Sequence, residues 1–205
     1  MSNSLQHFSP NKLARIISTI FVPPSFTLLT FIFIAIYLET DINKILITTF
    51  VALVFGFILP ILLFLHYRKK GSIVDIDASI KEERTIPMLI SVLIFVAGFA
   101  IMYFSEVNLI TLAFWFCYIS NTLLAVLINR VWKISAHTMG AAGPVAAITF
   151  ILGYGGLLFM VLVFLVGWSR IQLKCHTFAQ VITGGLFAFI STYLQIYLIV
   201  NCFGK

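Results

Sequence analysis

Two histidines and a small set of basic residues stand at the entrances of three apolar segments. The stretch IKEERTIP carries Lys81 and Arg84, KISAH carries Lys133, Ser135 and His137, and SRIQLKCH carries Ser169, Arg170, Lys174 and His176. Each stretch opens a long apolar run. Helix N-termini present unpaired N–H groups and a partial positive charge, which together bind phosphate. Arginine adds a planar fork that matches phosphate oxygens. If the three runs begin on one face, these residues form an anion site, best suited to a phosphate. Two imidazoles are then available for nucleophilic or acid–base work.

The elements that must position them follow from composition. The chain has 205 residues, of which 61% are hydrophobic and 10% charged, and its mean hydropathy is +1.09. A soluble domain carries about a quarter charged residues, so an ordinary soluble enzyme, a disordered tail and a nucleic-acid module are excluded. The apolar stretches are continuous, without the short alternation of a membrane barrel. The expected fold is all-α, one polytopic membrane bundle over residues 1–205 with six to seven transmembrane helices. The three motif stretches lie within about 81–185, after two spans in 16–65.

Hydropathy and loop residues place the spans. The first runs from Ile16 to Leu38, kinked at Pro23 and Pro24, and the second from Ile45 to Leu65. The third runs from Ile86 to Phe104, the fourth from Leu109 to Ile128, and the fifth from Thr138 to Leu152. A turn at Gly153–Gly156 leads into a sixth span ending near Trp168, and the seventh covers Thr177 to Val200. A single kinked helix at the glycines would leave six. No cleaved signal peptide is read, so the first span serves as the signal. Three cysteines without C-x-x-C spacing suggest neither a disulfide scaffold nor a zinc site.

With seven spans, eleven of the 13 basic residues fall on one face and only Lys44 and Lys205 on the other. Positive charge accumulates in the cytoplasm. The N-terminus and the motif loops are therefore expected inside a plasma (inner) membrane, with the C-terminus outside. Arg68, Lys69 and Lys70 read as headgroup anchors, as does Lys174. Ser120, Asn121 and Thr122 read as interhelical hydrogen bonders. Asp75, Asp77, Glu82 and Glu83 read as loop surface or partners for Arg84, since they lack the D-x2-D-G-x2-A-R pattern of the alcohol phosphotransferases.

Ser169-Arg170, five residues and His176 resemble the third signature of the type 2 phosphatidic acid phosphatase family, S-R-x5-H-x3-D. Ser135-Ala136-His137 is similar to its second, P-S-G-H, and KEER at 81–84 sits where its first, K-x6-R-P, belongs. The resemblance implies a membrane-embedded lipid phosphatase acting through a phosphohistidine. In it His176 is the nucleophile and His137 the general acid. Arg170, Arg84 and Lys81 neutralise the phosphate, and Ser135 with the Ala136 N–H cradles its oxygens. No metal or other cofactor is implied. The expected partners are membrane lipids and a lipid phosphate substrate (phosphatidic acid, phosphatidylglycerol phosphate or a prenyl diphosphate), with no nucleic acid.

The chain departs from the family at several positions. Gln180 stands where the family has the aspartate that orients the nucleophilic histidine. Ile134 replaces the motif proline, and Ala136 the glycine. With Arg84 in the arginine position, Asp77 falls where the lysine belongs and Thr85 where the proline does. An uncharged Gln180 orients the ring without stabilising its cation, which motivates an alternative: a phospholipid or anion binding or transport protein that has lost turnover.

Overall fold

The computed structural model describes residues 10–78 and 80–204; Lys205 lies outside them. Nine α-helices and no strand occur among the described residues: α1 Pro10–Ile20, α2 Pro23–Leu38, α3 Ile42–Val51, α4 Leu59–Lys69, α5 Thr85–Phe104, α6 Leu109–Val131, α7 Ala136–Leu152, α8 Met160–Gln172 and α9 Phe178–Phe203. A π-helical turn, Ala52–Ile58, joins α3 to α4, so Ile42–Lys69 is one continuous helical run of 28 residues. Five helical runs are long and apolar enough to cross a membrane, and the bent pair α1–α2 makes a sixth. The protein is an all-α polytopic membrane bundle.

The first span differs from its expected form. Val22 is extended (φ −73°, ψ 154°), and Pro23 and Pro24 occupy the first turn of α2. A residue before proline is driven out of the helical region, and proline fits the first helical turn. The prolines therefore start a new helix, and α1 meets α2 at 49°. One face of α1, with Ala14 and Ser18, is buried against the bundle, and Leu13, Ile16 and Ile20 are exposed.

The run Ala136–Gln172 reverses at Gly153, whose φ of 64° is open to glycine but costly for other residues. A short 3-10 segment, Gly153–Phe159, follows before α8 begins. A Cβ at Gly156 would stand 2.4 Å from Thr149 Cα, and one at Gly167 would stand 3.4 Å from Thr138 Cγ2. The two arms thus lie antiparallel and in register, which puts His137, near the start of one, at the same end as Arg170, near the end of the other. The two arms cover the residues expected of the fifth and sixth spans, though Ala136–Gln172 counts once among the runs long and apolar enough to cross a membrane.

The core on the far side of the bundle from the motif loops is aromatic. Phe31 stacks on Phe114 at 4.9 Å and meets Trp115 edge-on at 5.0 Å. The Trp115 indole donates to the Phe95 carbonyl (2.7 Å), satisfying its one polar atom. Midway along α6 and α9, Ser120 donates to Gln195 and Asn121 to Thr192, while Ser191 and Gln195 donate to Asn121. Ser120 and Asn121 are thus interhelical hydrogen bonders, as expected in lipid where no water competes. Thr122 instead borders an internal cavity.

Candidate functional site

The three motif loops are bonded to one another. Arg84 donates through Nε to the Ala78 carbonyl and through Nη1 to Ile134 O (3.4 Å). Lys133 Nζ donates to Cys175 O (2.6 Å). Each bond ties one loop to another or a loop to its own helix start, so residues far apart in sequence share one end of the bundle.

Local caps fix the reactive residues. Ser135 is the N-cap of α7: its side chain accepts from Thr138 N–H at 3.4 Å, and the Ile134 N–H before it is held by Asn129 Oδ1 at 3.2 Å. Its hydroxyl therefore serves as a cap, with its proton still available to a ligand. The N–H of Ala136 lies in the first helical turn, where no carbonyl of the same helix reaches it. Gly184 of α9 lets this turn approach closely, since a Cβ there would stand 2.9 Å from Ser135 O.

Helix α8 ends in a Schellman turn. Lys174 N–H bonds Ile171 O (2.9 Å) and Cys175 N–H bonds Arg170 O (3.1 Å), with Lys174 left-handed at φ 55°. His176 N–H also reaches Arg170 O, at 3.3 Å. The turn thus folds the S-R-x5-H spacing back on itself and sets Arg170 beside His176. Lys174 is exposed and holds the conformation glycine prefers. Lys174→Gly is expected to stabilise the protein by about 1 kcal/mol, read as a rise in thermal midpoint in detergent micelles.

Helix α9 begins with a capping box. Thr177 Oγ1 accepts from Gln180 N–H (3.4 Å), and Gln180 Oε1 accepts from Thr177 N–H (3.2 Å). The same Oε1 lies 3.2 Å from His176 Nδ1. Because Thr177 N–H requires an acceptor, the atom facing the ring is the amide oxygen, and Nδ1 must be the donor. Nε2 then carries the free lone pair. His176 is buried, and burial first, then Arg84, Lys133 and Arg170, push its pKa down to about 3. The ring is neutral across the physiological range.

Arg170 is fully buried. Its Nη1 donates to Ser18 Oγ and to Asp77 Oδ1, both at 2.6 Å. Its Nε and Nη2 are also buried but have no partner among the described residues. Those two N–H groups form the edge of the guanidinium that grips two oxygens at once. A buried donor pair without a partner is costly. His137, half-buried, has Arg170, Asp77, His176 and Arg84 as its charged neighbours.

Two expectations are corrected. Lys81 points away: its Nζ donates to Arg130 O (3.1 Å) and lies 3.8 Å from Glu82. The lysine beside His176 is Lys133, whose ammonium pKa is lowered by burial first and then by Arg84. Asp77 is not surface and does not bond Arg84. Its carboxylate bridges Arg170 and Arg15, the latter at 2.8 Å. Burial raises its pKa, but hydrogen bonds from Arg15 and Arg170 outweigh that and hold it below the ordinary carboxylate value. Arg15 and Ser18 of α1 carried no motif signal at all.

Below the loops lies a cavity of about 220 Å³. It runs from Ala136 and Met139, one turn under the site, past Phe95 and Gly143 to Asn121 and Thr192. Its walls are mostly apolar. Among the described residues no three His, Cys, Asp or Glu side chains cluster as metal ligands. Against protein-family models, curated proteins and solved structures the chain matches none, so the site is argued from its own geometry.

Proposed function

We propose that this protein is a lipid phosphatase of the histidine-nucleophile type, cleaving a phosphate ester from an amphiphile. The unpaired Nε–Nη2 fork of fully buried Arg170, one tight turn from the free Nε2 of His176, carries this reading. A phosphate seated on the fork satisfies two orphaned donors. His176 Nε2 attacks phosphorus as the P–O bond to the alcohol breaks, forming an N–P bond. His137, in its protonated form, gives a proton to the departing alkoxide oxygen and takes one back from the water that attacks next. Water then attacks the phosphohistidine, releasing inorganic phosphate and restoring the imidazole.

Arg170, Arg84, Lys133 and the first-turn N–H groups of α7 supply fixed positive charge to the equatorial oxygens. No metal is assigned a role in this scheme. The cavity beginning at Ala136 accepts a hydrocarbon chain, so the ligand's headgroup and tail are held by adjoining parts of the bundle. By charge bias the site faces the cytoplasm of an inner (plasma) membrane.

The test uses purified full-length protein in detergent with a ³²P-labelled lipid phosphomonoester and EDTA. Phosphate release with label trapped on His176 after alkaline quench is the expected result. Absence of both release and label overturns the proposal. Ligand binding without release points to an anion-binding protein instead.

A further inference from the structure

The loop after α4 ends in a tight, specific turn. Asp75 Oδ1 accepts from Asp77 N–H (2.8 Å), and the Asp75 carbonyl accepts from Ala78 N–H (3.1 Å). Ala78 holds a left-handed φ of 45°, a conformation costly to any residue with a Cβ. The turn delivers a carbonyl and a carboxylate to three arginines. The Ala78 carbonyl takes Arg84 Nε–H, and the Asp77 carboxylate takes Arg170 and Arg15, one on each oxygen. The Asp77 side chain is only 11% exposed. It is a fixed part of the site.

One guanidinium therefore carries a resident anion at Nη1 and, among the described residues, an unpaired fork at Nε and Nη2. A phosphate on the fork sits about one guanidinium width from the carboxylate. A diphosphate placed there needs a further cation for its second phosphate. Arg84, Lys133 and Lys81 each donate to a backbone carbonyl. Arg15 is held by the Asp77 carboxylate itself.

We infer that Asp77 makes this a single-phosphate site: its carboxylate, bridging Arg15 and Arg170, fills the position a second phosphate would take. The inference rests on the fork of Arg170 being the phosphate seat. It selects phosphomonoesters over diphosphates, because a second phosphate meets a fixed negative charge where it needs a positive one. Reversing that term at an effective dielectric near 20 changes affinity by about tenfold or more.

The experiment measures binding of inorganic phosphate and of pyrophosphate to the full-length protein in micelles by calorimetry. Wild type is expected to favour phosphate by at least about tenfold. Asp77→Asn removes the charge and keeps both the shape and the backbone bond to Asp75; it is expected to raise pyrophosphate affinity by about tenfold or more, with a smaller change for phosphate. Asp77→Glu, which keeps the charge, is expected to retain the wild-type preference.

Wild type binding both anions equally overturns the inference, as does an unchanged ratio in Asp77→Asn. A Glu variant that behaves like the Asn variant also overturns it, by tying the effect to loop geometry. In those cases phosphate binding by wild type leaves the anion seat standing. If neither anion binds wild type, both the inference and the seat fall.

Discussion

Arg170→Met is expected to lower phosphate release by at least about 10³-fold and to abolish measurable binding of inorganic phosphate. Methionine follows the arginine stem as far as Nε, so the apolar packing near α1 and α8 is kept and the guanidinium head is lost. What disappears is a buried fork whose two donors have no partner among the described residues. The substitution also strips Asp77 of one of its two arginines and Ser18 of its donor. Breaking a buried pair from one side costs about 3–5 kcal/mol, so the thermal midpoint should fall together with activity. Arg170→Lys separates the two effects. It restores a charge near Asp77 without restoring a bidentate grip, so the midpoint should recover while activity stays depressed. Either variant releasing phosphate within tenfold of wild type would remove Arg170 from the site.

Gln180→Glu is expected to accelerate the reaction. Glutamate has the same reach, so the capping box with Thr177 survives, and its carboxylate meets Nδ1 where the amide oxygen does now. In wild type the imidazole has no carboxylate to offset burial and three nearby cations, and its pKa lies at about 3. A charge at position 180 raises that value and stabilises the cationic ring formed during phosphoryl transfer. The gain in kcat is expected to be about 10- to 100-fold, by analogy with the loss seen when a triad carboxylate is neutralised.

The sign in pH follows directly. Protonated His176 cannot attack, so its protonation removes activity only as pH falls toward 3 in wild type. The acid limb assigned to His176 moves to higher pH in the glutamate variant. Histidine NMR titration and a kcat–pH profile check both statements. A slower Gln180→Glu enzyme with an unmoved limb would show that position 180 acts only as a cap.

Much of this architecture can be read from the chain because lipid imposes long apolar helices with few alternatives. The limits of α5, α6 and α7 are marked by Pro87, Asn108 and Ser135 within a few residues. The hairpin at Gly153 also follows from local signals. Arg170 and His176 are six positions apart, and one helix-ending turn joins them. Asp77 and Arg170 are 93 positions apart, and Arg15 and Asp77 are 62. Such pairs have no periodicity or local spacing to mark them. Lys133 replaced Lys81 for a similar reason, since which lysine points inward depends on the neighbouring loop carbonyl at Cys175. The end of α1 could have been anticipated more firmly: two adjacent prolines after a small amphipathic run start a helix more readily than they bend one.

The π turn between α3 and α4 sets a constraint on how this gene can change length. Leu59 N–H bonds the Val54 carbonyl, five residues back. Such a turn is a helix carrying one residue more than α geometry needs. Losing that residue would let α3 and α4 merge as a regular helix, with α4 rotated by roughly 100° and drawn about 1.5 Å toward α3. The turn at Asp75–Ala78 hangs from the end of α4 and would swing with it, carrying the Asp77 carboxylate off both arginines. Substitutions at the exposed Leu53 and Ile58 of this turn can be absorbed by the lipid, but a single-codon deletion there would be felt at the motif-loop end of the bundle.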